Sequence, residues 1–364
     1  MLQRIFKDKT NDYSLYVTAS IALNSSFVKI GMLQQCFENV NTSCVRVSRL
    51  LVEQTILYFI FTLGIIACVV GNLLVIISIS YFRQLHSPSH FLVLSLASAD
   101  FVMGLLVIPF TAIKFIEACW YFGEDLCRLL TALDSLCSLA SVFHLCFISV
   151  DRYIAVSDPL SYPVKFTATV ACFLISLGWL LPVTYSLALI YSNTNDTGLE
   201  DSVADLHCKG SCVILFNKSW VLINVIIISL PLITMLGMYS NVFIIVKKQA
   251  RMIETTAGKK SEVETFSSRV ARRERKAAKT LGIAVGAFTF CWLPLFVDMM
   301  IDNLFNVITP LSVYHIFFWL AYFSSALNPF IYAFFYPWFR ETVNLIFSCK
   351  ILRSDYKDID LFKE

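Results

Sequence analysis

Seven apolar stretches constrain this chain more than any other feature. They run approximately over residues 54–80, 89–113, 126–151, 167–191, 219–246, 278–302 and 309–336. About 20 apolar residues in a helix cross a hydrocarbon core roughly 30 Å thick, and a helix satisfies its own backbone there. The 364-residue chain is 57% hydrophobic and only 15% charged, against about 25% charged in average soluble domains. It cannot clothe itself in polar surface, which excludes a soluble enzyme, a disordered chain and a small disulfide scaffold. A net charge of +3 gives nucleic acid no footing. The expected fold is an all-α membrane protein, a seven-transmembrane helix bundle with a short amphipathic eighth helix. Residues 1–50 are expected to form an extracellular segment, 51–336 the membrane domain, and 337–364 the short helix and cytoplasmic tail.

An odd number of spans puts the termini on opposite sides, and Lys and Arg in the loops decide which. The connection 247–277 holds Lys247, Lys248, Arg251, Lys259, Lys260, Arg269, Arg272, Arg273, Arg275 and Lys276. Arg83, Arg340, Lys350 and Arg353 fall on the same side, whereas loop 192–218 carries Asp196, Glu200, Asp201 and Asp205. The N-terminus is therefore expected outside. The first 50 residues lack a long apolar h-region, so span one is expected to serve as the targeting signal.

Sequons at Asn24, Asn41, Asn195 and Asn217 all fall on the outer side, as N-glycosylation requires. Cys36, Cys44, Cys119, Cys127, Cys208 and Cys212 also lie outside or at the outer edge, where disulfides form. Cys68, Cys137, Cys146, Cys172 and Cys291 lie within spans and read as small core residues. Cys349 follows the amphipathic stretch after span seven and reads as a palmitoylation site or a free thiol.

The polar residues inside the spans form an ordered set. They include Gly71-Asn72, the run Leu96 to Asp100, Asp151-Arg152-Tyr153, Trp179 with Pro182, and Pro231 with Tyr239. Phe288, Cys291-Trp292-Leu293-Pro294 and Asn328-Pro329-Phe330-Ile331-Tyr332 complete it. This set resembles the rhodopsin-like G-protein-coupled receptors over residues 50–345. Cys119-Trp120-Tyr121-Phe122-Gly123, the run Glu274 to Gly282, and Tyr336-Pro337-Trp338-Phe339 narrow the resemblance to the trace amine-associated receptors, an aminergic and mostly olfactory branch. Ser324-Ser325 stands where that family usually has Asn-Ser.

Asp134 carries the most information. A carboxylate within a span costs about 2.5–3.5 kcal/mol on insertion scales and usually marks function. Span three offers it no Lys or Arg within five residues on either side, and it lies seven residues, about 10 Å, below Cys127. Its partner is then a ligand cation, and Tyr322 is placed to orient it. The resemblance implies the same role, amine counterion; the bland alternative is a protonated Asp bonded to its neighbours. Ser135 and Ser138 lie on the same helix, and Trp292, Leu295, Phe296, Phe318 and Trp319 form the expected apolar and aromatic wall. Aromatic faces attract cations, although most single aromatics simply pack helices. Span five offers Ile223, Asn224 and Ile227 where catecholamine receptors have serines, and it lacks a second Asp. This favours a monoamine with an apolar body. Asp298 and Asp302 read mainly as exposed helix-end charges and secondarily as cation sites.

Asp100, Ser141, Ser324, Ser325 and Asn328 form a second polar layer, for which the resemblance implies an allosteric sodium ion and the bland reading a water network. No other cofactor is expected. Arg152 lies 18 residues after Asp134 and Glu274 lies 18 before Trp292, each about 27 Å along its helix. Arg152 and Glu274 thus share a depth, and their ion pair would hold spans three and six together; the alternative is a pair with Asp151 alone. Tyr239 and Tyr332 are expected to stabilise the opened state, with Pro231 and Pro294 as bend points. The resemblance also implies a Cys127–Cys212 bridge and a further bridge from Cys208 to Cys44 or Cys36, with Cys44 preferred as nearer span one.

The expected function is a plasma-membrane receptor for trace or volatile amines, possibly sited in olfactory cilia. It would couple to a heterotrimeric G protein with a stimulatory or olfactory alpha subunit and raise cyclic AMP. Membrane lipid is a second partner, through the basic run 269–276. A conventional neurotransmitter amine receptor is the alternative. A retinal protein would need a Lys in span seven, a transporter or channel internal repeats or a path of charges, and an enzyme a His-based cluster; none is present in the sequence.

Overall fold

The computed structural model describes residues 33–47, 49–191, 208–212, 218–256, 266–305, 309–348 and 361. Among these, seven helices are long and apolar enough to cross a membrane. They are span one Leu51–Tyr81, span two Pro88–Glu117, span three Glu124–Ser157 and span four Ala168–Tyr191. Span five lies in the helix Lys218–Thr256, span six in Phe266–Phe305 and span seven in Leu311–Phe335. A short helix, Pro337–Phe347, follows.

The helices of spans five and six continue well past their apolar stretches, into residues that the sequence assigns to a connection. Lys, Arg, Glu, Gln and Ala are good helix formers even without a membrane face, and the segments 247–256 and 266–277 are rich in them. Span two contains a feature that apolar length does not signal. Met103–Val107 forms a π turn just ahead of Pro109. Proline lacks an N–H and crowds the carbonyl four residues earlier, and a wide turn relieves that conflict.

Span three is the most enclosed helix, while spans one and four are the most exposed. Asp134, Ser135, Ser138, Ser141, His144, Ser149 and Asp151 are all buried along it, because polar groups in a membrane must turn to the bundle interior. Leu63, Leu180, Leu230 and Phe243 are exposed on other spans, the side chains that hydrocarbon would cover. Cys172 is also exposed, which corrects its reading as a core residue. Spans one and seven approach closely. A Cβ on Gly71 would stand 2.6 Å from Pro329 Cβ, so only glycine fits there.

The short helix after span seven starts with Pro337 in its first turn, where a missing N–H costs nothing. It buries Trp338, Phe339, Thr342 and Leu345 on one face. Thr342 Oγ1 accepts from Ser78 Oγ at 2.9 Å, and Leu361 N donates to Gln84 Oε1 at 3.0 Å.

The N-terminal segment forms a hairpin, β1 Leu33–Gln35 antiparallel to β2 Val45–Val47. Three disulfides tie this region together: Cys36–Cys119, Cys44–Cys208 and Cys127–Cys212. The hairpin holds its two cysteines side by side, with Cys36 N donating to Cys44 O at 2.9 Å, and each reaches a different loop. The Cys36–Cys119 bridge was not foreseen in the sequence. Arg46 pairs with Glu117 at 2.9 Å, and Lys209 N donates to Thr42 O at 2.8 Å, fixing the hairpin to the end of span two and to the second outer loop.

Candidate functional site

Asp134 sits inside the bundle, only 2% exposed. Ser138 Oγ, one turn further along span three, donates to its Oδ1 at 3.3 Å. The Tyr322 hydroxyl of span seven also hydrogen-bonds it, and Thr111 of span two bonds that hydroxyl in turn. Hydroxyls from spans three and seven therefore converge on one carboxylate, and span two steadies the second of them. Ser135 is spent within its own helix, donating to Thr131 O at 3.0 Å.

Aromatic and aliphatic side chains enclose this point. Phe318 lies over Tyr322 with ring centroids 4.4 Å apart. Trp319 turns toward spans one and two, packing on Phe61 at 4.2 Å and Phe115 at 5.5 Å. Trp292 stacks on Phe288 at 5.7 Å and donates its indole N–H to Ser324 Oγ at 3.0 Å. Leu295 is buried with Met299 and Ala321, and Phe296 follows it, half-buried. Asn224 Oδ1 accepts from the Tyr185 hydroxyl at 3.2 Å, while its buried Nδ2 has no partner.

Asp298 departs from its reading as an exposed helix-end charge. It is 6% exposed, and its buried Oδ2 has no partner. The position follows from helix rotation: Asp298 lies seven residues after buried Cys291 and three after buried Leu295, on their inward side. The Asp302 side chain lies outside the described residues.

Above Asp134, the Cys127–Cys212 bridge carries the second outer loop across the mouth of the bundle. Lys114, on span two, donates from Nζ to Cys212 O. Sequence reasoning overlooked Thr111, Lys114 and Tyr185. Lys114 offered a signal, a cation at the outer edge of an apolar stretch, but partners for Asp134 were sought only on its own helix.

The second layer is assembled around Asp100, buried at 1% exposure. Ser141 Oγ donates to its Oδ1 at 2.9 Å, and Asn328 Nδ2 to its Oδ2 at 2.8 Å. Ser325 hydrogen-bonds the same carboxylate. Asn72 donates to Ser325 O at 3.1 Å, and its buried Oδ1 has no partner. The carboxylate and hydroxyl oxygens, with an orphaned amide oxygen beside them, suit a hard cation. Ser324 points elsewhere, donating to Ala321 O at 2.6 Å. A separate buried network links Ser95 Oγ to His144 Nε2 at 2.7 Å and to the Trp179 indole at 2.8 Å.

At the far end of span three, Arg152 is held by Asp151 Oδ2, at 2.6 Å from Nη2 and 2.8 Å from Nε. Nη2 also donates to Ser89 Oγ at 2.5 Å and to the Tyr162 hydroxyl at 3.2 Å. Tyr162, on the short helix Tyr162–Lys165 beyond the span, donates to Asp151 Oδ1 at 2.6 Å. Burial, then the Asp151 charge, push its phenol well above the usual range, so it stays a neutral donor. The Glu274 side chain lies outside the described residues, so the expected Arg152–Glu274 pair is not described. Tyr153 packs on Val156 and Val242. A Cβ on Gly282 would stand 2.5 Å from the Tyr239 ring, which places Tyr239 against span six. Tyr332 is buried beside Tyr336 at 5.8 Å and Phe339 at 6.3 Å. Asn41 is exposed in the hairpin turn; Asn24, Asn195, Asn217 and Cys349 lie outside the described residues.

Seven apolar helices around a polar inner column, closed on one face by a bridged loop, define a seven-helix membrane receptor. The sequence profile of the 7 transmembrane receptor (rhodopsin family) matches residues 71–332. Trace amine-associated receptor 7a of Mus musculus is 49% identical over 358 residues, covering 98% of this chain and 100% of its own. Trace amine-associated receptor 7a of Rattus norvegicus is 51% identical over 91% of this chain and 93% of its own. Trace amine-associated receptor 8a of Rattus norvegicus is 50% identical over 91% and 97%. The chain therefore belongs to the trace amine-associated receptors of the rhodopsin family, G-protein-coupled receptors of the plasma membrane and not enzymes.

Proposed function

We propose that this receptor senses small amines, binding their ammonium at Asp134. The observation that carries this reading is a carboxylate 2% exposed on which hydroxyls from two helices converge. Hydroxyl donors orient the carboxylate, and a cation entering from the outer face gains a desolvated ion pair with it. Phe318, Tyr322, Trp292, Leu295 and Phe296 supply the wall for the alkyl or aryl body, and Trp319 backs it. Asn224 gives one polar contact at the span-five side.

The N-terminal face is the extracellular one, a reading supported by its disulfides and by the basic segments at the other end. Asn24, Asn41, Asn195 and Asn217 are sites for glycan and Cys349 for palmitate. A sodium ion held by Asp100, Ser141, Ser325 and Asn328 would stabilise the resting arrangement.

Signalling is a population shift. The amine pairs with Asp134 and presses on Trp292, whose indole is linked to span seven through Ser324. Span six moves outward at its inner end, Arg152 leaves Asp151, and Tyr239 and Tyr332 support the opened cleft. Glu274 and the basic run 269–276 flank it, facing a stimulatory or olfactory G protein and anionic lipid.

The test is cyclic AMP in cells carrying the receptor, across primary, tertiary and di-amines, with surface expression measured. Losing one side of a buried charge pair costs about 2–5 kcal/mol. Asp134→Ala is therefore expected to shift the response by roughly 30-fold or more while still reaching the surface. An equal response from the variant would reassign Asp134 to a structural role.

A further inference from the structure

Lys114 is the part of the chamber that ammonium binding leaves unused. It lies one helical turn, about 4.5 Å, outward of Thr111, the residue whose side chain bonds Tyr322 beside Asp134. Thr111 and Lys114 are three residues apart and so share a helix face. The Lys114 side chain is half-buried and reaches the loop over the chamber, where Nζ donates to Cys212 O. Cys212 is bonded to Cys127, two turns outward of Asp134 on span three. The ammonium and the Asp134 carboxylate are close enough for their charges to interact.

A charged amine inside a membrane protein is costly and usually functional. A backbone carbonyl engages one of its three donors, and the carboxylate its charge interacts with, Asp134, is the one a ligand ammonium takes up. The chamber thus has two poles, a carboxylate at its floor and an ammonium below its roof. A ligand paired with Asp134 and extending outward meets Lys114 with its far end. A second ammonium there is repelled, an alkyl end offers the cation nothing in place of the Asp134 charge that the ligand ammonium neutralises, and a carboxylate pairs with it.

We infer that Lys114 is a specificity-determining residue that receives the anionic end of the ligand, so that the chamber favours amines bearing a carboxylate at the opposite end over diamines of equal length. This rests on the Asp134 reading.

Three compounds of one chain length test it: pentylamine, 1,5-diaminopentane and 5-aminopentanoate. Binding is read as the melting shift of purified receptor, and response as cyclic AMP. In the wild type, 5-aminopentanoate is expected to act at concentrations at least tenfold below 1,5-diaminopentane. Lys114→Glu should reverse that order, and Lys114→Met should level it. The wild-type ranking stands as a test even if a variant fails to reach the surface. Equal potency of the three in wild type, or a wild-type preference for the diamine, overturns the inference. So does a ranking that Lys114→Glu leaves unchanged. If these three fail to bind while another amine acts through Asp134, the Lys114 inference falls and the amine reading stands. If no amine binds, both fall.

Discussion

Tyr322 and Ser138 show how single residues prepare a charge without consuming it. Both contribute hydroxyl donors to Asp134, and neither brings a positive charge. Removing one such donor costs about 1 kcal/mol, roughly fivefold in affinity. Tyr322→Phe is therefore expected to raise the half-maximal amine concentration about fivefold in the cyclic AMP assay, far less than Asp134→Ala. His144 illustrates the opposite case. Its ring joins Ser95 Oγ and Ala140 O, and the Trp179 indole donates to the same Ser95. His144→Leu would strand those groups, at about 1–3 kcal/mol. The expected outcome is a lower melting temperature in detergent with an unchanged amine ranking. Asp134 was legible in the sequence because a carboxylate in an apolar stretch is expensive enough to need a reason. The role of His144 was not, because its partners lie 49 residues away on span two and within its own turn.

At the scale of elements, the N-terminal hairpin is the informative piece. It is small, and a two-stranded hairpin is marginal alone in water. Cys36–Cys119 and Cys44–Cys208 bind it to the first and second outer loops, and Cys44 N donates to Lys209 O at 3.0 Å. A native disulfide typically contributes about 2–4 kcal/mol. Replacing Cys44 and Cys208 together by Ser is expected to lower the melting temperature and the amount at the cell surface. Replacing Cys36 and Cys119 together should act in the same direction. Both are measured by thermal unfolding of purified receptor and by surface labelling. The spans themselves were readable from apolar length, and the short eighth helix from its amphipathic run. The π turn in span two and the long helical extensions of spans five and six were not. Hydropathy reports where a helix meets lipid, not where its hydrogen bonds widen or where it ends in water.

Across the whole molecule, two polar layers join helices that lie far apart in sequence. Asp100 of span two is bonded by Ser141 of span three and Asn328 of span seven. A cation held there stabilises only the arrangement that presents all three, by mass action. Sodium is therefore expected to raise the melting temperature of the ligand-free receptor relative to choline at equal ionic strength, and Asp100→Asn should abolish the difference. The inner layer has its own brake, with Arg152 shared among Asp151, Ser89 and Tyr162. Because the Asp151 side chain is 1% exposed, its charge is a strong part of that hold. Asp151→Asn is expected to raise basal cyclic AMP severalfold per receptor at the surface.

The sequence by itself determined the class of fold, the number of spans and the carboxylates that stand out inside them. Apolar length, the pattern of Lys and Arg and the expense of a buried charge are properties of a single strand of text, legible without neighbours. Tertiary structure decided which side chains meet. It turned Asp298 inward, gave Cys36 to Cys119, set Trp319 against spans one and two, and brought Lys114 to the loop above Asp134. Each depends on how helices rotate and approach one another, and those angles and distances arise only when the bundle packs.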